Sequence, residues 1–115
     1  MIKTKHIFHN NTSTEGNGID YIVNNKKAGE IMVVSCGDLN EEPTTISATI
    51  DFYGKAAGSK EFIKIKAIKS SDYSIVEEGA IDEAYLIDLT SYESIRIYLS
   101  DVSGGEVTVV GEVVE

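Results

Sequence analysis

Hydrophobic and polar residues alternate along most of this chain. In residues 94–100, Ile95, Ile97 and Leu99 occupy every second position. Arg96 lies between them and points to the opposite side of an extended chain. The same period of two recurs at residues 45–52, 63–66 and 106–109. This period is typical of a β-strand with one buried face and one solvated face.

The alternating segments predict an all-β fold. Strands are expected at residues 2–9, 19–23, 30–36, 45–53, 61–69, 72–76, 84–88, 94–102 and 106–114. One apolar and one polar face per strand is typical of antiparallel sheets. Two such sheets bury their apolar faces against each other, so the pattern predicts an immunoglobulin-like antiparallel β-sandwich.

Glycines and polar residues mark the expected connections. The Ser-Gly-Gly-Glu segment at residues 103–106 separates two alternating runs, and we expect residues 94–102 and 106–114 to pair as a β-hairpin. Tyr92 precedes a predicted strand, where either a tyrosine corner or simple packing fits. Polar loops are predicted at residues 10–18, 37–43 and 54–59 and from residue 77 onward.

Length and composition fit one globular domain. The chain has 115 residues, of which 42% are hydrophobic, enough for a core without disulfides. Its single cysteine excludes an intramolecular disulfide and favours a reducing context during folding. The first ten residues lack the apolar run of a signal peptide, and no apolar stretch is long enough to cross a membrane.

The net charge is −9, which makes nucleic acid an unexpected partner. Residues 1–28 hold four lysines and two acidic residues, a net charge of +2, which leaves −11 for residues 29–115. We therefore divide the chain into an N-terminal strand, arm and loop at residues 1–28, part of or attached to the sandwich, and a sandwich body at 29–115. The uneven charge fits either a docking segment or chance.

Few residues suggest chemistry. His6 and His9 are expected on opposite faces of one strand, as ordinary strand histidines without a metal. Cys36 ends an apolar run and is expected to be a buried structural thiol. Five clustered acidic residues lack the spacing of a calcium loop and are expected to form a solvated face. They are Glu77, Glu78, Asp82, Glu83 and Asp88.

The sequence contains no nucleophile–base pair, phosphate-binding glycine loop or nucleotide motif that we recognise, so we expect neither an enzyme nor a cofactor. A sugar-binding face would need exposed aromatic rings. The chain has six tyrosines and no tryptophan, and Tyr98 lies opposite an apolar face. Cross-strand packing and glycan binding both fit such tyrosines.

Several segments resemble one family. The stretch Tyr-Leu-Ile-Asp-Leu-Thr-Ser-Tyr-Glu-Ser-Ile-Arg-Ile at residues 85–97 and Gly-Gly-Glu-Val-Thr-Val-Val-Gly at 104–111 resemble small immunoglobulin-like proteins of tailed-phage particles. Residues 14–18 and 49–54 are similar to a loop and a strand of the same proteins. The tryptophan usual in that family is absent, and Phe62 is the candidate for its place. Carbohydrate-binding jelly rolls share a similar Asp-Leu-x-x-Tyr-x-x-Ile-Arg stretch.

The resemblance implies a non-enzymatic virion protein, assembled in the host cytoplasm. Head decoration (capsid cement) on the outer capsid surface is the first expectation. A tail, baseplate or fibre-attachment protein and a carbohydrate-binding module are the alternatives. The expected partners are the major capsid protein or another virion protein and further copies of the chain, without nucleic acid or membrane.

The basic N-terminal segment is the expected contact with the particle. Its strand, residues 1–9, would add to a sheet edge of a capsid subunit, and its deletion would leave the sandwich folded. The candidate partner-binding residues are Lys3, Lys5, His6, Lys26 and Lys27.

Overall fold

A computed structural model describes residues 3–23, 29–37 and 46–114. These residues form eleven β-strands. The strands are β1 (Lys3–Thr12), β2 (Tyr21–Ile22), β3 (Glu30–Gly37), β4 (Ser47–Lys55), β5 (Ile63–Lys64), β6 (Ala67–Lys69), β7 (Ile75–Val76), β8 (Glu78–Ala80), β9 (Ala84–Asp88), β10 (Ser94–Ser103) and β11 (Val107–Val114). None of the described residues belongs to a helix suited to spanning a membrane.

The strands form two sheets, and all paired strands within each sheet are antiparallel. One sheet has the order β1-β11-β3-β9-β6-β7. The other has the order β2-β10-β4-β5, with β8 also paired to β4. The predicted all-β antiparallel sandwich is thereby confirmed.

The core lies between the two sheets, where the alternating apolar side chains meet. Branched and aromatic residues fill it because they pack well on a pleated surface. Full burial of each contributes about 1.5–3 kcal/mol. Phe52 of β4 lies 5.2 Å, ring centroid to ring centroid, from Tyr85 of the opposite sheet. The fully buried core residues include Ile31, Val33, Ile50, Phe52, Ile95, Ile97, Leu99, Val107 and Val109.

The predicted hairpin of residues 94–102 and 106–114 is wrong. β10 pairs with β2 and β4, whereas β11 pairs with β1 and β3, so the connection passes from one sheet to the other. A register shift after Ser100 and positive φ angles of 53° at Asp101 and 86° at Gly104 turn the chain. Alternation predicts which face of a strand is buried, but not which strand lies beside it.

Two further predictions needed correction. The expected strand at 61–69 is divided, since β5 belongs to the five-stranded sheet and β6 to the six-stranded sheet. The expected loop from residue 77 contains β8, whose central Gly79 lies against the ring of Tyr85. The predicted loop at residues 37–43 falls almost entirely outside the described residues.

The carboxylate of Asp88 closes the turn after β9. Its Oδ1 accepts hydrogen bonds from the backbone N of Thr90 at 2.9 Å and from Thr90 Oγ1 at 2.6 Å. These two bonds favour the ionised carboxylate and hold the pKa of Asp88 below its ordinary value of 3.8. The stability that they contribute is therefore complete above that value and is lost as the pH falls through the lowered pKa.

We expect Asp88→Asn to weaken this pH dependence, because the amide oxygen still accepts both bonds but carries no charge. Urea unfolding at about pH 5 and about pH 2.5 should show a smaller loss of stability for the variant than for the wild type. Glu106→Gln removes an exposed carboxylate elsewhere and serves as the control. Equal losses in the wild type and Asp88→Asn would contradict the prediction.

Candidate functional site

Apolar side chains cross the outer face of the six-stranded sheet in two neighbouring rows. In the first row, Ile7 of β1 is paired with Val110 of β11, which is paired with Val34 of β3. The second row runs from β3 through β9 and β6 to β7. We call this surface the apolar band: Ile7, Met32, Val34, Ile68, Ile75, Leu86 and Val110.

The apolar band is open to solvent in the isolated chain. Ile75 is 70% exposed, and Ile7, Val34 and Ile68 are each more than 40% exposed. Antiparallel sheets ordinarily turn polar residues outward, and singly exposed apolar residues need no explanation. Contiguous exposed apolar surfaces are typical of interaction sites, so the apolar band is a candidate for one.

The structure brings part of the predicted N-terminal contact to this band. Lys5 lies two residues before Ile7, on the same outer face of β1. The backbone of Lys3 is paired with Val114. Lys26 and Lys27 lie outside the described residues.

His6 faces the other way. Its ring lies 4.6 Å from the ring of Phe8 and 5.4 Å from that of Tyr21, centroid to centroid. Its Nε2 is 2.8 Å from the carbonyl oxygen of Ile19. His6 therefore attaches the following loop to β1 and is not brought together with Lys5.

β1 is an integral strand of the sandwich. It pairs with β11 from Lys3 to Thr12, and Phe8 and His9 are only 1% and 5% exposed. Ile19 N also donates to the carbonyl of Phe8 over 2.9 Å, so the protein's own loop covers part of the β1 edge. This packing argues against the expectation that the sandwich survives deletion of residues 1–9, because the deletion would remove the buried side chains of Phe8 and His9.

His9 connects the two sheets. A register shift between Ile7 and His9 turns Phe8 and His9 both inward. The buried Nε2 of His9 lies 2.7 Å from the carbonyl oxygen of Ile97 in β10. Since a carbonyl only accepts, Nε2 carries the proton and donates. Spacing alone, which assumes an unbroken strand, predicted an ordinary strand histidine and missed this role.

A concave surface lies on the outer face of the five-stranded sheet. Arg96 of β10 donates from Nε to Asp20 Oδ1 over 2.9 Å and from Nη2 to Asp20 Oδ2 over 3.0 Å. The guanidinium also lies over the ring of Phe62, 3.8 Å from its centroid. The two bonds to Asp20 raise the pKa of Arg96 and fix its position.

This surface, the aromatic cleft, has a volume of about 570 Å³. Tyr53 lies directly opposite Arg96 on the neighbouring strand, and Tyr98 follows two residues later on the same face. Desolvation raises the pKa of Tyr98, with a further contribution from its hydrogen bond to Glu15. The cleft is lined by Asn17, Tyr53, Lys60, Glu61, Phe62, Arg96 and Tyr98.

Within the described residues, no three His, Cys, Asp or Glu side chains come close enough together to hold a metal ion. Instead, Glu77 and Glu83 lie beside lysines, at 4.0 Å from Lys66 and 3.7 Å from Lys69. The prediction of a buried Cys36 is wrong. Alternation turns Ser35 into the core and Cys36 out to solvent.

The role of Tyr92 is one of packing. Its ring lies so close to Gly54 that a β-carbon there would approach the ring to 2.6 Å. The hydrogen bonds found among the described residues include none from the Tyr92 hydroxyl to the backbone. A glycine at residue 54 thus leaves the space that the ring fills.

The described part of the chain defines a class: a two-sheet β-sandwich module that exposes an apolar band on one face and an aromatic cleft on the other. Comparison with known proteins is more specific. The XepA family model matches residues 3–113, and the chain belongs to this family. No curated protein matches the chain.

Two solved structures share the fold. The SPBc2 prophage-derived protein YomS has a TM-score of 0.82 and 23% identity, and the match covers 99% of this chain and 94% of YomS. The PBSX exported protein XepA has a TM-score of 0.83 and 21% identity, with 99% of this chain but only 38% of XepA covered. The predicted relationship to phage proteins agrees with these matches, because the family shares its name with the PBSX protein and YomS is a prophage-derived protein.

Proposed function

We propose that this protein is a non-enzymatic structural protein of a phage particle, and specifically a decoration protein on the outer surface of the head. The observation that carries the proposal is the apolar band. Membership of the XepA family and the similarity to the prophage-derived protein YomS support a phage context. The proposed partners are the major capsid protein and further copies of this chain, without nucleic acid or membrane.

The apolar band has the form expected of a protein-binding surface. It crosses all six strands of its sheet, so it offers a broad, relatively rigid face. Charged residues border it, since Lys5 is paired with Glu112 and Glu30 with Asp88. An apolar centre inside a polar border is the usual arrangement of a protein–protein interface.

Lys5, which lies beside the apolar band, would set the orientation of the docked protein. Lys5 is exposed on β1, at the end of the band that carries Ile7. In a chain of net charge −9, this basic position would oppose an acidic patch on the capsid subunit and fix the orientation of docking.

The test is mass spectrometry of purified phage particles, with heads separated from tails and the copy number measured against the major capsid protein. Hundreds of copies in heads are expected for decoration. A few copies, or copies in tails alone, would replace head decoration with a tail, baseplate or fibre role. Absence from particles would overturn the structural proposal, and secretion without particles would agree with the similarity to XepA, an exported protein.

Substitution within the apolar band should abolish incorporation into particles. Val34→Glu places a charge at the centre of the band, where a docked partner would have to desolvate it at a cost of several kcal/mol. Ile22→Glu is the matched control, because Ile22 is 68% exposed on the other sheet. Both variants should fold, as judged by thermal unfolding, and only Val34→Glu should be missing from particles. Normal incorporation of Val34→Glu would exclude the band as the contact.

A further inference from the structure

We propose that the aromatic cleft binds a neutral oligosaccharide. This site lies on the outer face of the five-stranded sheet, whereas the apolar band lies on the six-stranded sheet. The proposal therefore does not depend on the structural role proposed above, and one protein could carry both functions on opposite faces.

The size and support of the cleft fit a small ligand. Its volume of about 570 Å³ falls within the range of about 300–1,000 Å³ that small-molecule sites occupy. Two paired strands, β4 and β10, hold Tyr53, Arg96 and Tyr98 in place. A ligand would therefore meet a largely preformed surface, which reduces the entropic cost of binding.

The lining groups match the two chemical features of a sugar. A pyranose ring presents a face of C–H groups, which packs against aromatic rings such as Tyr53 and Tyr98. Its hydroxyl groups both donate and accept hydrogen bonds. The exposed side chains of Asn17, Lys60 and Glu61 offer both kinds of partner at the rim of the cleft.

The charges around the cleft favour a neutral ligand over an anion. Asp20 already occupies two donors of Arg96, so this cation is compensated within the protein. Glu15 lies close enough to Tyr98 to raise its pKa, and Glu61 is next to Lys60 in the chain. Together these groups hold two positive and three negative formal charges, which gives an anionic ligand no net attraction.

Phe62 and Arg96 form the fixed wall of the site. The guanidinium lies over the ring, 3.8 Å from its centroid, and makes a cation–π contact. Lys55 Nζ approaches the same ring at 5.6 Å. These contacts hold Phe62 in one orientation, so the ring can limit which sugars fit beside Tyr53 and Tyr98.

The experiment applies the labelled full chain to an array of neutral and acidic oligosaccharides. The best neutral ligand is then titrated to about 10 mM while backbone amide shifts are followed by NMR, so that binding with a Kd of about 1 mM, or about −4.1 kcal/mol, is detected. We expect a neutral oligosaccharide to shift amides of β4 and β10. The proposal fails if no neutral glycan binds, if acidic glycans bind better, or if the shifts lie on the apolar band.

Two substitutions test the site itself. Tyr98→Ala should weaken binding by about tenfold, or about 1.4 kcal/mol. Asn17→Ala should also weaken binding, and because Asn17 is exposed this substitution does not disturb the core. Tyr73→Ala is the matched control, because this tyrosine is 77% exposed and does not line the cleft. Val34→Glu should also leave glycan binding unchanged. Undiminished binding by both cleft variants would overturn the assignment.

Discussion

Gly18→Ala is expected to lower the free energy of unfolding by about 3 kcal/mol. Gly18 has a φ of +66°, which any other residue adopts at a cost. A β-carbon at this position would also lie 2.2 Å from the carbonyl oxygen of Phe8 and 2.7 Å from the ring of His9. The backbone oxygen cannot move aside as the end of a flexible side chain could, so the loop would be pushed off β1.

Gly58→Ala separates the cost of a positive φ from the cost of the steric clash. Gly58 also has a positive φ, +83°, but nothing lies within 4 Å of the β-carbon position. This variant should therefore lose only about 1 kcal/mol, the backbone cost by itself. Urea unfolding of both variants gives the comparison. Equal losses would show that the loop at residue 18 does not pack on β1 as described.

The strands and their buried faces could be predicted because alternation is a local property. Ile95, Ile97 and Leu99 were expected on one face, and all three are completely buried. The alternation in residues 30–36 also predicts that Cys36 is exposed. The interpretation of the whole apolar run as buried was therefore wrong for this residue. A period of two was the better guide, since it places Ser35 inside and Cys36 outside.

The arrangement of strands could not be predicted because it depends on contacts between distant residues. The segment at 103–106 has the composition of a hairpin turn, yet it connects two sheets. Nothing in the local sequence distinguishes a hairpin turn from a connection between sheets, since a strand can form its hydrogen bonds with the next strand of the chain or with a distant one. The bulge after Ile7, which buries His9, is likewise visible only once β1 is aligned with β11.

The two candidate surfaces differ in how much the sequence reveals. The apolar band combines residues from six strands, and each strand by itself shows only one or two outward apolar residues. The aromatic cleft depends on pairing Arg96 with Tyr53 and on bringing Asp20 and Phe62 to the same place. Tyr98 was singled out from its position opposite an apolar face, but its neighbours require the fold.

His9→Ala is expected to destabilise the protein by about 3 kcal/mol, through a lost buried hydrogen bond and lost packing. Ile97 lies between Ile95, which is opposite Tyr21, and Leu99, which exchanges two backbone hydrogen bonds with Gly16. The Ile97 carbonyl lies between these two pairings. It accepts a hydrogen bond of 2.7 Å from Nε2 of His9, which belongs to the other sheet. Alanine would leave that buried oxygen without this donor.

Two variants identify the hydrogen bond as the cause. His9→Gln keeps an N–H donor on a side chain of similar reach and should recover most of the stability lost in His9→Ala. His6→Ala removes the other histidine–carbonyl bond, to Ile19, but at a more exposed position where water replaces it, so about 0.5–1 kcal/mol is expected. Urea unfolding measures all three variants. If His9→Gln is as unstable as His9→Ala, the imidazole contributes through its shape and packing, and the connection between the sheets does not depend on the hydrogen bond to Ile97.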